Sequence, residues 1–222
     1  MQLELQNVGY SYNGKELVLC HVNYRFEDGR IYAITGRSGA GKTTLLSLLS
    51  QLTKPTEGKI LYNGLDVSEV DQYLYRSQYA GVIFQSFNLL MHLTAVENVM
   101  LSMDIAGVKK ENNRAYAMEL LEKVGLSKEE SQRRILKLSG GQQRVAIARA
   151  VSYDPAILLA DEPTGNLDED TQDEIMEIFK GLAYEEQKCI ILVTHSPVVA
   201  SLADEVYALT DTKKIKNRQK GV

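Results

Sequence analysis

Gly36-Arg37-Ser38-Gly39-Ala40-Gly41-Lys42-Thr43 is the stretch whose reading decides the fold of this chain. The octapeptide fits G-x-x-x-x-G-K-[ST]. It follows the short apolar run Ile31–Thr35 and opens Thr44–Leu52, a segment compatible with a helix. Strand, glycine-rich loop and helix in that order make a phosphate grip. The glycines let the backbone curl so that successive N–H groups face phosphate oxygens, and the helix N-terminus adds positive partial charge. Lys42 is expected to reach the β- and γ-phosphates of a nucleotide, and the Thr43 hydroxyl to bind Mg2+.

A second half of such a site lies far downstream. Ile157-Leu158-Leu159-Ala160 reads as a buried strand, and it ends in Asp161-Glu162. An acid at the carboxyl end of a strand beside a phosphate loop can hold Mg2+ through its waters, a role assigned to Asp161. Glu162 is then placed to polarise the attacking water as general base. Ile190–Thr194 reads as another short buried strand.

Helical spacing appears in two places. Ala117, Leu120, Leu121 and Val124 fall at i, i+3, i+4 and i+7 before a stop at Gly125, and Ile175, Ile178, Phe179 and Leu182 repeat the pattern. The stretch from about 86 to 153 is mostly helical on this reading, with strand-type runs on either side. Asn13-Gly14 and Asn63-Gly64 mark tight turns between antiparallel strands, and Asp28-Gly29 is a further turn signal. Buried strands alternating with amphipathic helices predict an α/β core around a parallel sheet. To it are added an N-terminal antiparallel β part and an inserted helical part.

Composition narrows the partners. The 222 residues carry 25 Lys plus Arg against 29 Asp plus Glu, a formal charge of −4, which argues against nucleic acid as the main partner. Cys20 and Cys189 stand far apart in no metal-ligand spacing, so a disulfide framework is excluded and a reducing compartment fits. No apolar run approaches the roughly 20 residues of a membrane span, and no signal-peptide core is present. Lys213, Lys214, Lys216, Arg218 and Lys220 crowd a final segment, 213–222, that holds no acid. It reads as a solvated terminus, with weak contact to anionic lipid as the alternative.

Leu138-Ser139-Gly140-Gly141-Gln142 resembles the signature pentapeptide of the ATP-binding-cassette (ABC) ATPases. The run Arg144–Ala150 directly after it is similar to that family too. By itself, Ser139-Gly140-Gly141 ahead of a helix is a second anion-binding end. Further markers come in the family's order: Tyr12, Gln85, Asn166-Leu167-Asp168 and His195. The resemblance implies that Tyr12 stacks on adenine, that Gln85 is a catalytic residue and Mg2+ ligand, and that His195 contacts the γ-phosphate. It also implies that residues 36–44 cradle ATP, with Thr44 the last of them. Ser139, Gly140, Gly141, Gln142 and Asp168 would grip the nucleotide of a second ATPase subunit, so that two chains share two ATP. His21 and His92 match no marker.

Within the family, Phe84–Leu90, Leu93–Val99 and Asp161–Asp168 resemble the bacterial lipoprotein-release, macrolide-export and cell-division ATPases. This implies an ATP-hydrolysing subunit on the inner face of the cell membrane, held there by a separate permease. The cargo implied for such a group is a peptide, lipoprotein or drug. The alternative is an ATPase that signals through a membrane partner to cell-wall remodelling. A GTPase is disfavoured because no Asn-Lys-x-Asp motif occurs, and a translation or DNA-repair ATPase because there is one cassette and no long heptad stretch. The expected organisation is a catalytic core at 1–85 and 154–212, a helical signature part at 86–153, and the basic tail at 213–222. One departure stands out. Family members usually carry two residues between the pentapeptide and the arginine, whereas here Gln143 alone precedes Arg144. A deletion inside a helix rotates every later residue by about 100°, so either the helix start absorbs it or the signature contacts shift.

Overall fold

The computed structural model describes residues 2–138, 140–165 and 167–209; Ser139, Asn166 and the basic tail lie outside the described residues. The chain begins with β1 (Gln2–Ser11), β2 (Leu17–Val22), β3 (Arg25–Glu27), β4 (Arg30–Thr35) and α1 (Lys42–Leu49). It continues through β5 (Glu57–Tyr62), β6 (Leu65–Asp66), α2 (Gln72–Gln78) and β7 (Ala80–Ile83). Helices α3 (Ala95–Ala106), α4 (Asn113–Lys123), α5 (Lys128–Ser131) and α6 (Gln142–Val151) come next. The last part is β8 (Ile157–Asp161), α7 (Glu169–Lys180), β9 (Cys189–Val193), α8 (Pro197–Ser201) and β10 (Glu205–Ala208).

The strands form two sheets. One is antiparallel, ordered β2-β1-β5-β6 with β3 also on β1, and the other is parallel, ordered β10-β4-β9-β8-β7. The Asp28-Gly29 turn carries the chain from one sheet to the other, because β3 belongs to the first and β4 to the second. Strands covered on both faces are apolar along their whole length. Accordingly β9 is buried at every position, and β8 at every position except Asp161.

Alternate residues of those strands serve two different cores. Leu158, Ala160, Ile190 and Leu192 pack with Val99 of α3, Ile147 of α6 and Phe179 of α7. Ile157, Leu159, Ile191 and Val193 pack with Leu45 and Leu48 of α1 and with Leu5 and Phe26 of the antiparallel sheet. The parallel sheet is thus the middle layer, with the inserted helices on one side and the β part on the other.

The local signals are met with two adjustments. Asn63 and Gly64 both take positive φ, 50° and 82°, in the tight turn between β5 and β6. Asn13-Gly14 lies instead in a longer loop between β1 and β2, where the Asn13 side chain accepts hydrogen bonds from the Lys15 and Glu16 N–H groups. An Asx-type bond of this kind turns the chain without a two-residue hairpin. The helical period of Ile175–Leu182 runs through α7 and then widens into a π-helical turn, Gly181–Glu185, that keeps Leu182 buried. Thr94 and Glu97 form a capping box at the start of α3, satisfying two otherwise orphan donors.

Candidate active site

The parallel sheet brings the site together at one edge. In register, Ile34 lies beside Val193, Val193 beside Asp161, and Ala160 beside Ile83. The segments that leave β4, β9, β8 and β7 therefore emerge side by side at the strands' carboxyl ends, where parallel sheets open their ligand crevices.

From β4 the chain enters the phosphate loop. Gly41 precedes α1 with φ 95°, and a Cβ there would lie 2.8 Å from Leu19 Cδ2 and 3.0 Å from Val18 Cγ1. Only glycine lets the helix start this close to β2. α1 has no side-chain N-cap and no acid in its first turn, which leaves its terminal N–H groups to an anion. Lys42 Nζ donates to the carbonyls of Gly36 at 2.9 Å and Arg37 at 3.4 Å, so the lysine spans the loop that precedes it. Ala40 is buried and holds the loop against the core.

The acids come from β8. Thr43 Oγ1 donates to Asp161 Oδ2 at 3.1 Å. Burial pushes the Asp161 carboxyl above its ordinary range, the Thr43 hydrogen bond opposes that, neighbouring Glu162 adds to it and Lys42 opposes it. A carboxylate made costly by burial is stabilised by a nearby cation. Glu162 sits just past the strand with φ 48°, a left-handed conformation costing about 1 to 2 kcal/mol for a non-glycine residue. Its N–H donates to Val193 O at 2.9 Å, which fixes that conformation against β9. The carboxylate accepts the His195 main-chain N–H at 3.2 Å, and Glu162 Oε1 lies 2.8 Å from His195 Nδ1. Strain of this kind concentrates at working sites.

These groups share a cleft of about 490 Å3, lined by Tyr12, the phosphate loop with the first turn of α1, Gln85, Asp161, Glu162 and His195. Tyr12 is 72% exposed, its ring pinned through a 2.9 Å hydroxyl contact with Thr44 Oγ1 and edge-on to Tyr10. An open aromatic face of this kind can stack on a base. Val18, which no motif singles out, also lines the cleft. It comes there because β2 lies against Gly41, a neighbourhood with no local sequence signal.

The described signature residues lie elsewhere. Gly140, Gly141, Gln142 and Asp168 do not line the cleft. Gly141 is the N-cap of α6, and Gln142 Nε2 donates to Leu138 O at 2.6 Å, closing the loop on itself. Asp168 caps α7, accepting the Thr171 N–H at 2.9 Å, a bond that holds its carboxyl below the usual range. The shortening before Arg144 falls at the start of α6. Arg144 Nη1 donates to Val124 O at 2.6 Å and its guanidinium pairs with Glu174, while Val145–Ala148 are buried. The helix body is thereby fixed, and the shortening lies at its first turn. There Gln143 is buried, and its Nε2 has no protein partner among the described residues.

Residues 19–165 match the family model described as ABC transporter. The chain is 47% identical over 204 residues to the uncharacterized ABC transporter ATP-binding protein YclH of Bacillus subtilis (strain 168), covering 91% of this chain and 90% of that protein. It is 43% identical over 206 residues to the lipoprotein-releasing system ATP-binding protein LolD of Saccharophagus degradans, covering 90% of each. The ABC transporter cassette MJ0796, solved as a dimer, superposes with a TM-score of 0.84 at 36% identity, over 93% of this chain and 94% of that one. MJ0796 is also solved in a post-hydrolysis state bound to ADP and phosphate.

Proposed function

Because the chain belongs to the ABC transporter family as an ATP-binding, ATP-hydrolysing subunit, we propose that it powers a separate membrane permease in export or extraction. The cargo class is a peptide, lipoprotein or drug. The observation that carries the enzymatic half is the convergence of Lys42, Asp161, Glu162, Gln85 and His195 on one cleft. The name of LolD, a lipoprotein-releasing protein, supports extraction as the direction.

On this reading ATP lies with its base on Tyr12 and its phosphates on the loop from Gly36 to Thr44. Lys42 neutralises the β- and γ-phosphates. Glu162 holds the attacking water and takes its proton as the water oxygen bonds to the γ-phosphorus and the bond to ADP breaks. His195, paired with Glu162, orients that carboxylate and faces the γ-phosphate. Thr43, Asp161 and Gln85 would hold Mg2+. The fit is supported by an all-oxygen donor set and by a buried carboxylate that gains from a cation. Bound there, the ion would supply charge neutralisation for the phosphoryl oxygens.

One chain leaves the phosphates open on the side away from the loop. The signature residues, displaced from their own chain's cleft, are suited to close that of a second copy, as a homodimer requires. Closure of this kind excludes water and completes the site. Residues 1–85 and 154–212 then act as the catalytic core, and 86–153 as the part that moves with the signature. The one-residue shortening lies at the signature end of α6, and on this reading it weakens closure. Inserting one Gln after Gln143 is expected to raise ATP turnover by about fivefold, as about 1 kcal/mol of restored closure would. Phosphate release at an unchanged rate would overturn this.

No helix among the described residues is long and apolar enough to cross a membrane. Attachment to the inner membrane face through a protein partner is part of this reading. An exposed apolar patch on α2 and α3 is suited to it. Tyr73 of α2 donates its hydroxyl to Ile105 O, and Leu101 and Ile105 expose one side of α3. Burying what these two side chains still expose contributes about 1.5 to 3 kcal/mol. A Leu101→Asp, Ile105→Asp double variant should lose at least about tenfold in affinity for the co-expressed membrane subunit in detergent. Its own phosphate release should be unaltered. Retained association would exclude this patch, and the identity of the co-purifying membrane protein decides between transport and cell-wall signalling.

A further inference from the structure

Arg149 lies in the last turn of α6, outside the cleft, and makes an unusual set of bonds. Its Nη1 donates to Asn88 O at 2.6 Å and its Nη2 to Phe87 O at 2.8 Å. It is half-buried, and among the described residues it forms no ion pair with any carboxylate. A cation withdrawn from water is costly unless its donors are satisfied, and this one uses a planar fork on two consecutive main-chain carbonyls. Those carbonyls belong to a strained turn. Phe87 and Asn88 take φ of 59° and 50°, two adjacent non-glycine residues in the left-handed region. The turn comes directly after Gln85, with the Phe87 N–H donating to Phe84 O at 2.9 Å across it. On its far side, buried Asn98 of α3 bonds both the N–H and the carbonyl of Leu90.

We propose that Arg149 is a positioning residue that holds the Gln85 turn and ties its place to that of the signature loop. α6 starts at that loop, at Gln142, and carries Arg149 two residues before its end. Over ten residues it is a rod of about 15 Å. A shift at the signature end therefore moves the clamp, and the clamp moves Gln85. The link joins a chain's own nucleotide cleft to the loop that closes its partner's. It rests on the reading of Gln85 as part of the catalytic site.

The test uses the full chain. Arg149→Lys keeps the charge but lacks the fork that serves both carbonyls. It should bind a fluorescent ATP analogue within about twofold of the wild type, because the phosphate loop is untouched. Its kcat should fall at least about tenfold, as misplacement of a catalytic group does. Amide hydrogen exchange should rise within residues 85–90 and nowhere else in the inserted helices. Unchanged kcat, or nucleotide affinity falling in step with kcat, overturns the proposal. Asn88 is exposed, so substitution there keeps the test open if the arginine variant fails to fold. Asn88→Ala should lower kcat about fivefold, through the cost of a left-handed alanine. Asn88→Gly, which adopts that φ freely, should not. Equal turnover in the two would overturn the proposal. Gln85→Ala, measured in parallel, separates the failures. If it lowers kcat and Arg149→Lys does not, Arg149 alone is misassigned. If it leaves kcat unchanged, the reading of Gln85 falls and the proposal with it.

Discussion

Replacing Glu162 with Gln is expected to reduce ATP turnover at least 100-fold, roughly the low end of what a positioned general base contributes. The geometry explains why the change should be so selective. The amide oxygen of Gln can still accept the His195 main-chain N–H that Glu162 accepts at 3.2 Å. The left-handed backbone at this position is set by the bond from its N–H to Val193 O, and that bond does not depend on the side chain. What is lost is the capacity to take a proton from water. The phosphate loop, Lys42 and Thr43 are unaltered, so ATP should bind with near wild-type affinity. With binding intact and hydrolysis stopped, the variant should accumulate as an ATP-dependent dimer in sedimentation experiments. Hydrolysis at the wild-type rate would remove Glu162 from the role of base. Turnover lost together with ATP binding would mean that the side chain shapes the cleft instead.

The second large effect is expected at Lys42. Its ammonium group bridges the Gly36 and Arg37 carbonyls, so it braces the loop as well as charging it. Hydrogen bonds to charged groups contribute about 1.5 to 3 kcal/mol each. Lys42→Ala should therefore weaken ATP binding by on the order of 100-fold, equivalent to about 2.7 kcal/mol. Alanine is the best helix former at the first position of α1, and the side chain lies at the surface of the cleft, so the fold should persist. Calorimetric titration with ATP checks the first point and circular dichroism the second. An affinity within fivefold of the wild type would show that the lysine does not reach the phosphates. Lys42→Arg is no substitute, because a planar fork replaces a compact point charge in a tight loop. The two variants are diagnostic as a pair, since one removes chemistry with binding intact and the other removes binding.

Much of this was legible in the linear sequence because it is local. A glycine loop between a strand and a helix states its own conformation, and the octapeptide from Gly36 to Thr43 needs only its flanking residues to be read. The apolar runs of β8 and β9 are strands for the same reason, being too short for helices and bounded by polar ends. The turn at Asn63-Gly64 needs positive φ, which those two residues supply. Where the readings needed adjustment, a side chain or a wider turn intervened. Asn13 bends its loop through its own carboxamide, and Gly181 begins a π-helical turn that the spacing of Leu182 does not reveal.

The parts themselves were determined by the sequence alone: the phosphate loop, the acids ending β8, the signature and the α/β class. Only the tertiary structure decided which parts meet. Thr43 finds Asp161, 118 residues away, because β8 lies one strand from β4 across β9. Glu162 finds His195 because β8 and β9 end in register. Val18 borders the cleft, and Arg149 clamps the turn after Gln85, with no nearby residue announcing either. The physical reason is the same in each case. Local conformation is fixed by backbone sterics and neighbouring side chains, whereas contacts between distant segments depend on strand order, which is settled by burying both faces of the parallel sheet at once.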